Sequence, residues 1–165
     1  MTEALMRKHG QRVALALAVV GFSAGAAASD PVFGLWLTES RRGVIEIHPC
    51  EGQAEAACGT IVWLAKPTNE DGAPLTDRRN PDPEERGRPV CGLRTIRGLR
   101  REAEGRWAGG ALYDPNDGAT YRGRVEVRAD GALHLRGYVG IPLFGRSQVW
   151  TRVEQDRVEQ DRGGC

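Results

Sequence analysis

The chain has 165 residues, with 23 Lys and Arg against 22 Asp and Glu and a formal net charge of +1 at pH 7. Without its first 28 residues it keeps 20 basic against 21 acidic groups, a net charge near −1. Such a balance offers no electrostatic case for nucleic acid, which draws on a surplus of cations, and a chain of this length buries one core rather than two.

Arg7, Lys8 and Arg12 precede an apolar run over residues 13–22, and small residues then lead to Ala26-Ala27-Ala28. This basic, apolar, small-residue order is that of a secretory signal peptide over residues 1–28, with cleavage expected before Ser29. The run is about half of the ~20 residues that a spanning helix needs, so no membrane span is expected after cleavage. The mature chain is expected to be exported, periplasmic or secreted.

Strand signals dominate the remainder. Residues 33–38 open with Gly34-Leu35-Trp36, and residues 43–48 and 58–64 form a strand pair joined by a polar connection with Glu51, Gly52, Gln53 and Glu55. Residues 65–90 break the rhythm. Pro67, Pro74, Pro81, Pro83 and Pro89 stand there among many charges with almost no apolar periodicity, which reads as a long loop, and loops of this length are lids or disordered segments. Lacking apolar anchors, it is expected to open more readily than the sheet. Its carboxylates Asp71, Asp77, Asp82, Glu84 and Glu85 do not follow the alternate spacing of a calcium loop and read as a solvated, Arg-paired surface; no metal site is expected. Asn80-Pro81-Asp82-Pro83 reads as a stiff turn.

Residues 93–99 and 107–113 give two further strands, and Asp114-Pro115-Asn116-Asp117-Gly118 a reverse turn. In residues 121–128, Tyr121, Gly123, Val125 and Val127 alternate with Arg122, Arg124, Glu126 and Arg128, so one face is dry and the other wet. Ala129-Asp130-Gly131 turns the chain into residues 133–139, which complete a hairpin. Residues 147–153 form the last strand. About eight short strands without a long amphipathic helix predict an all-β domain over 29–153, a single antiparallel meander closed into a barrel. Val153-Glu154-Gln155-Asp156-Arg157 repeats as Val158-Glu159-Gln160-Asp161-Arg162, and with one apolar residue in five the tail 154–165 reads as a solvated extension.

Export makes disulfides the default for Cys50, Cys58, Cys91 and Cys165. Cys50 ends one strand and Cys58 begins the next, so this pair is expected to close, leaving Cys91 and Cys165 as free or intermolecularly paired thiols.

Trp36 on the first strand and Arg152 on the last are neighbours in a closed barrel, where the guanidinium can lie over the indole. Gly34, Trp36 and Arg152 thus resemble the barrel-closing signature of the lipocalins and wider calycins. A more specific resemblance runs through Cys58-Gly59-x-Ile61-Val62-Trp63-Leu64, Asn80-Pro81-Asp82-Pro83, Arg88-Pro89-Val90-Cys91-Gly92, Trp107-x-Gly109-Gly110-x-x-Tyr113-Asp114-Pro115, Gly137-Tyr138-x-Gly140 and Trp150-x-Arg152. This set is similar to a family of small secreted proteins, mostly of Gram-negative bacteria, whose function is unknown. The resemblance implies a lipocalin-like barrel and an exported compartment, not a catalytic residue.

No nucleophile, metallohydrolase or phosphate-loop motif is present, so no catalytic residue and no cofactor are expected. The leading expectation is a barrel that binds a small, mostly apolar molecule, with Trp63, Tyr113, Tyr121 and Tyr138 as candidate contacts. The alternative is an envelope protein whose arginine-rich face holds an acidic partner.

Overall fold

A computed structural model describes residues 29–160 and 164–165; the expected signal peptide lies outside the described residues. Among the described residues there are eight strands: β1 (Gly34–Leu37), β2 (Gly43–Cys50), β3 (Gln53–Leu64), β4 (Arg94–Ala103), β5 (Arg106–Asp114), β6 (Ala119–Val127), β7 (Leu133–Tyr138) and β8 (Gly145–Val153). Each pairs antiparallel with the next, and β1 pairs with β8, so the all-β meander closes into a barrel. The connections β1–β2, β3–β4, β5–β6 and β7–β8 therefore share one end, called here the loop end.

Alternation sets which residues face in. On β6, Val125 is fully buried opposite Leu135, and Val127 lies opposite Leu133, while Arg122 and Arg124 on the other face are exposed. The β2–β3 pair extends further than its sequence indicated, because Gln53–Ala57 continue as strand and only Glu51-Gly52 turn. Ala56 and Ala57 are fully buried there, and the Cys50–Cys58 disulfide ties the pair at a Cα separation of 4.9 Å. Small buried side chains beside a cross-link hold a segment whose composition alone looks like loop.

The interior is filled. Trp36, Ile47, Ile96, Leu99, Val125 and Leu133 are almost completely buried and pack with Ile61, Trp107, Leu112 and Trp150. A Cβ added at Gly123 would stand 2.5 Å from Leu112, and one at Gly59 would stand 2.9 Å from Ile96. These glycines leave the room that their larger neighbours occupy, the side-chain-filled case for a barrel of eight strands.

The end opposite the loops is closed by polar clamps around an aromatic plug. Trp36 donates its indole N–H to the Val32 carbonyl at 2.8 Å, and the Arg152 guanidinium lies 4.2 Å from the Trp36 ring centroid. Arg152 also donates to the Phe33 and Pro31 carbonyls. Gly34 has φ +124°, and a Cβ there would lie 2.6 Å from Arg152 Nη1, so only glycine fits. Asp30 accepts from Trp107 Nε1, Arg101 Nε and the Val32 N–H. Burial alone would raise its carboxyl, but these bonds hold it below the usual carboxylate range.

Two expectations fail at the tail. Cys91 and Cys165 are joined to each other across 74 positions, with Cα atoms 5.2 Å apart, rather than left free or paired between molecules. The tail supplies the proximity: the Gly164 N–H donates to the Leu64 carbonyl at the end of β3, which delivers Cys165 to the foot of the long loop. Before it, Gln155–Gln160 form a short helix, α1, in place of a featureless extension. Val158 is half-buried and lines a shallow cleft with Leu35, Glu46 and Val62 on the outer face of the sheet. One valine against an existing apolar patch suffices to seat a helix that the repeat could not seat by itself.

Candidate binding site

The long loop is anchored by charge rather than by apolar side chains. Asp77 is fully buried in it, and its carboxylate collects four hydrogen bonds. Tyr113 Oη on β5 donates at 2.6 Å, Asn80 Nδ2 at 2.8 Å, and Arg88 Nε and Nη2 at 3.0 and 2.9 Å. Desolvation favours the neutral acid, but the Tyr113, Asn80 and Arg88 bonds together with the Arg88 charge hold the Asp77 carboxyl low. Burial and the bond to Asp77 push the Tyr113 phenol up to about 12. The pair is thus a carboxylate and a neutral phenol at neutral pH, locked in those states.

Secondary contacts shape the loop around this anchor. Asn80 Oδ1 accepts from the Asp82 N–H, and the Asn80 carbonyl accepts from Arg86 Nε. Asp82 caps the 3-10 turn Pro83–Gly87 through the Glu84 N–H. Gly118, at φ +75°, lets the β5–β6 turn pass so close to the Arg79 carbonyl that a Cβ would collide with it. The loop is largely solvated and Arg-paired, as expected, but it is built on a buried polar centre that its sequence pattern did not mark. The stiff turn at Asn80-Pro81 is part of that centre, since Asn80 itself is buried.

The product of the network is a fixed guanidinium. Arg88 is held by Asp77 on one side and by Glu85 Oε2 at 2.5 Å on the other, and it lies 5.7 Å from the Tyr113 ring centroid. It opens onto a cleft of about 470 Å³ lined also by Thr60, Gly92, Leu93, Arg94 and Arg97. No carboxylate lines this cleft, and among the described residues no ion pair takes up Arg94 or Arg97. Three guanidinium groups, one of them immobilised, surround a space of the size that receives small ligands.

The four aromatic candidates are distributed rather than gathered. Tyr113 belongs to the Asp77 network. Tyr121 packs against the core and donates to Asp117 Oδ2 at 2.6 Å, a bond that raises its phenol. Tyr138 pairs with Arg122, the neighbour of Tyr121, so strand alternation puts the two tyrosines on opposite faces of the sheet. Trp63 is buried beside Val44 across the β2–β3 pair, and its indole N–H finds no acceptor among the described residues. Neither cleft described above is lined by any of the four. Asp77 and Arg94 escaped sequence reasoning; Arg88 stood in a motif, but nothing in the pattern linked it to Asp77.

A bacterial family model described as an uncharacterised conserved protein, DUF2147, matches residues 34–152. The chain belongs to this family. The matched span of DUF2147 runs from the glycine of the closing signature to its arginine and takes in the whole Asp77 network. A solved structure of HP1028 from Helicobacter pylori, described as belonging to the lipocalin family, superposes with a TM-score of 0.65 at 20% identity, over 81% of this chain and 90% of that one. That likeness establishes a lipocalin-like barrel for this DUF2147 member. No curated protein matches the chain.

Proposed function

We propose that this DUF2147 protein is an exported binding module, not an enzyme, and that its ligand is acidic and sits in the cleft of Arg88, Arg94 and Arg97. The observation that carries the reading is the pairing of one immobilised guanidinium with two that no carboxylate satisfies. Arg88 contributes geometry more than attraction, because Asp77 and Glu85 already offset its charge. Arg94 and Arg97 supply the attraction. The buried titratable groups argue against acid–base chemistry here: Asp77 is pushed down and Tyr113 up, each away from the neutral range where a general base or acid works. Two disulfides support export to an oxidising compartment, periplasmic or extracellular.

A second reading keeps a small, mostly apolar molecule as the ligand. The lipocalin-like barrel supports it, as does the unsatisfied buried donor of Trp63, which a polar group on such a molecule would pair. The filled interior leaves it less room than the open arginine cleft.

Titration with an oligo-glutamate peptide, followed by amide chemical shifts, tests the first reading. Shifts centred on Thr60, Gly92, Arg94 and Arg97, fading as salt rises and abolished in the Arg94→Gln/Arg97→Gln variant, are expected. Shifts no larger than those from an oligo-glutamine peptide overturn it.

A further inference from the structure

The large exposed apolar side chains of the described residues are concentrated in one place. Val139, Ile141, Leu143 and Phe144, between 55% and 76% exposed, follow one another in the β7–β8 connection, and Val149 lies just beyond on β8. A soluble surface scatters such residues singly, and a contiguous set marks a contact site.

The connection is preformed. Arg136 on β7 donates from Nε to the Pro142 carbonyl at 2.7 Å, from Nη2 to the Leu143 carbonyl at 3.2 Å and from Nη1 to Ser147 Oγ at 2.8 Å. One guanidinium thus braces the 3-10 turn Pro142–Phe144 from beneath and points its side chains away from the barrel. Little conformational entropy remains to be lost when those side chains are buried.

Arginines flank the tip on two connections, with carboxylates among them. Residues 139–149 contain no Asp or Glu and carry Arg146, with Arg136 beneath the turn. The β1–β2 turn at the same end adds exposed Arg41 and Arg42. Of the acidic groups beside the tip, Glu39 accepts the Val149 N–H, and Asp117 accepts the Tyr121 hydroxyl and the Ala119 N–H.

We propose that the tip of the β7–β8 connection docks on a lipid bilayer with anionic headgroups, with Leu143 and Phe144 entering below the headgroups and Arg146, Arg41 and Arg42 meeting the phosphates. Apolar side chains framed by arginines match the two layers of such a surface. A protein partner fits less well. Four side chains of this size offer on the order of 500 Å², below the ~800 Å² that each side of a stable protein interface buries. A projecting tip also needs a matching socket in a protein, but none in a fluid bilayer. This surface is separate from the arginine cleft on β3 and β4, so either proposal can fail without the other.

Co-sedimentation of the purified protein with vesicles of phosphatidylethanolamine and phosphatidylglycerol, against phosphatidylcholine alone, is the test. Binding to the anionic vesicles is expected, reduced at least about tenfold in Leu143→Ser/Phe144→Ser and about fivefold at low salt in Arg146→Gln. All three positions are exposed, so unchanged thermal melting verifies that the variants fold. No binding, equal binding to both vesicle types, or equal binding by wild type and the Leu143→Ser/Phe144→Ser variant overturns the proposal. So does a wild-type dimer that this variant dissolves in the absence of lipid, which would assign the tip to a second copy of the chain.

Discussion

Asp77 shows how one side chain can organise a loop that has few apolar groups to organise it. An ionised carboxylate in a protein interior is costly unless every lone pair is engaged, and here four donors engage it. Removing one neutral donor from a charged acceptor costs about 1.5–3 kcal/mol, so Tyr113→Phe should lose stability by that amount at neutral pH. The pH dependence has a definite sign at each end. Tyr113 titrates at about 12 when folded against a reference value of 10.0. The folded state then holds a proton that the unfolded chain has released, and stability falls between those pH values. At the acid end Asp77 and Asp30 lie below the carboxylate reference of 3.8, so their contribution is complete above it and is lost as pH falls through their lowered values. Urea unfolding midpoints across pH check both limbs: Tyr113→Phe should flatten the alkaline one and also weaken the acid one, because it removes one of the bonds that hold the Asp77 carboxyl low. An alkaline limb as steep in the variant as in the wild type would assign that loss to another group.

At the level of elements, the strands and the tight turns at 114–118 and 129–131 were legible in the sequence, and the anchoring of the long loop and the course of the tail were not. Val125 and Val127 alternate with Arg124, Glu126 and Arg128 because one face of β6 meets the core and the other meets water, a constraint that acts position by position and leaves its mark locally. Trp36 and Arg152 were readable as partners because the closure of a meander makes its first and last strands neighbours. Asp77 had no such mark, since an aspartate between Thr76 and Arg78 in a charged segment looks like its solvated neighbours until β5 brings the Tyr113 hydroxyl to it. The Cys91–Cys165 bridge was hidden for the same reason: its proximity comes from a tail whose course depends on Leu64 and the outer face of the sheet. That bridge should matter to the long loop, whose foot it ties to the tail. Chain entropy puts its contribution at about 4.5 kcal/mol, against about 2.6 kcal/mol for the short Cys50–Cys58 ring. Cys165→Ser is therefore expected to lower stability by up to that larger amount. Hydrogen exchange should show faster opening of Val90, whose N–H is bonded to the Leu75 carbonyl, with little change in β6. Unchanged exchange at Val90 would mean that the Asp77 network alone holds the loop.

Across the whole molecule, the barrel works as a rigid frame with its polar and apolar specialisations on the outside. One end is sealed by Trp36, Arg152 and Asp30, and the interior is occupied by its own side chains. A frame of this kind positions loops and surface arginines well, and it leaves recognition to them. The proposed ligand is acidic and held by Arg94 and Arg97 beside the fixed Arg88. Native mass spectrometry of the protein purified from its own host tests this most directly. An adduct bearing an acidic group, released by raised salt and missing from the Arg94→Gln/Arg97→Gln variant, is expected; a neutral, apolar adduct that persists in that variant would contradict an acidic ligand.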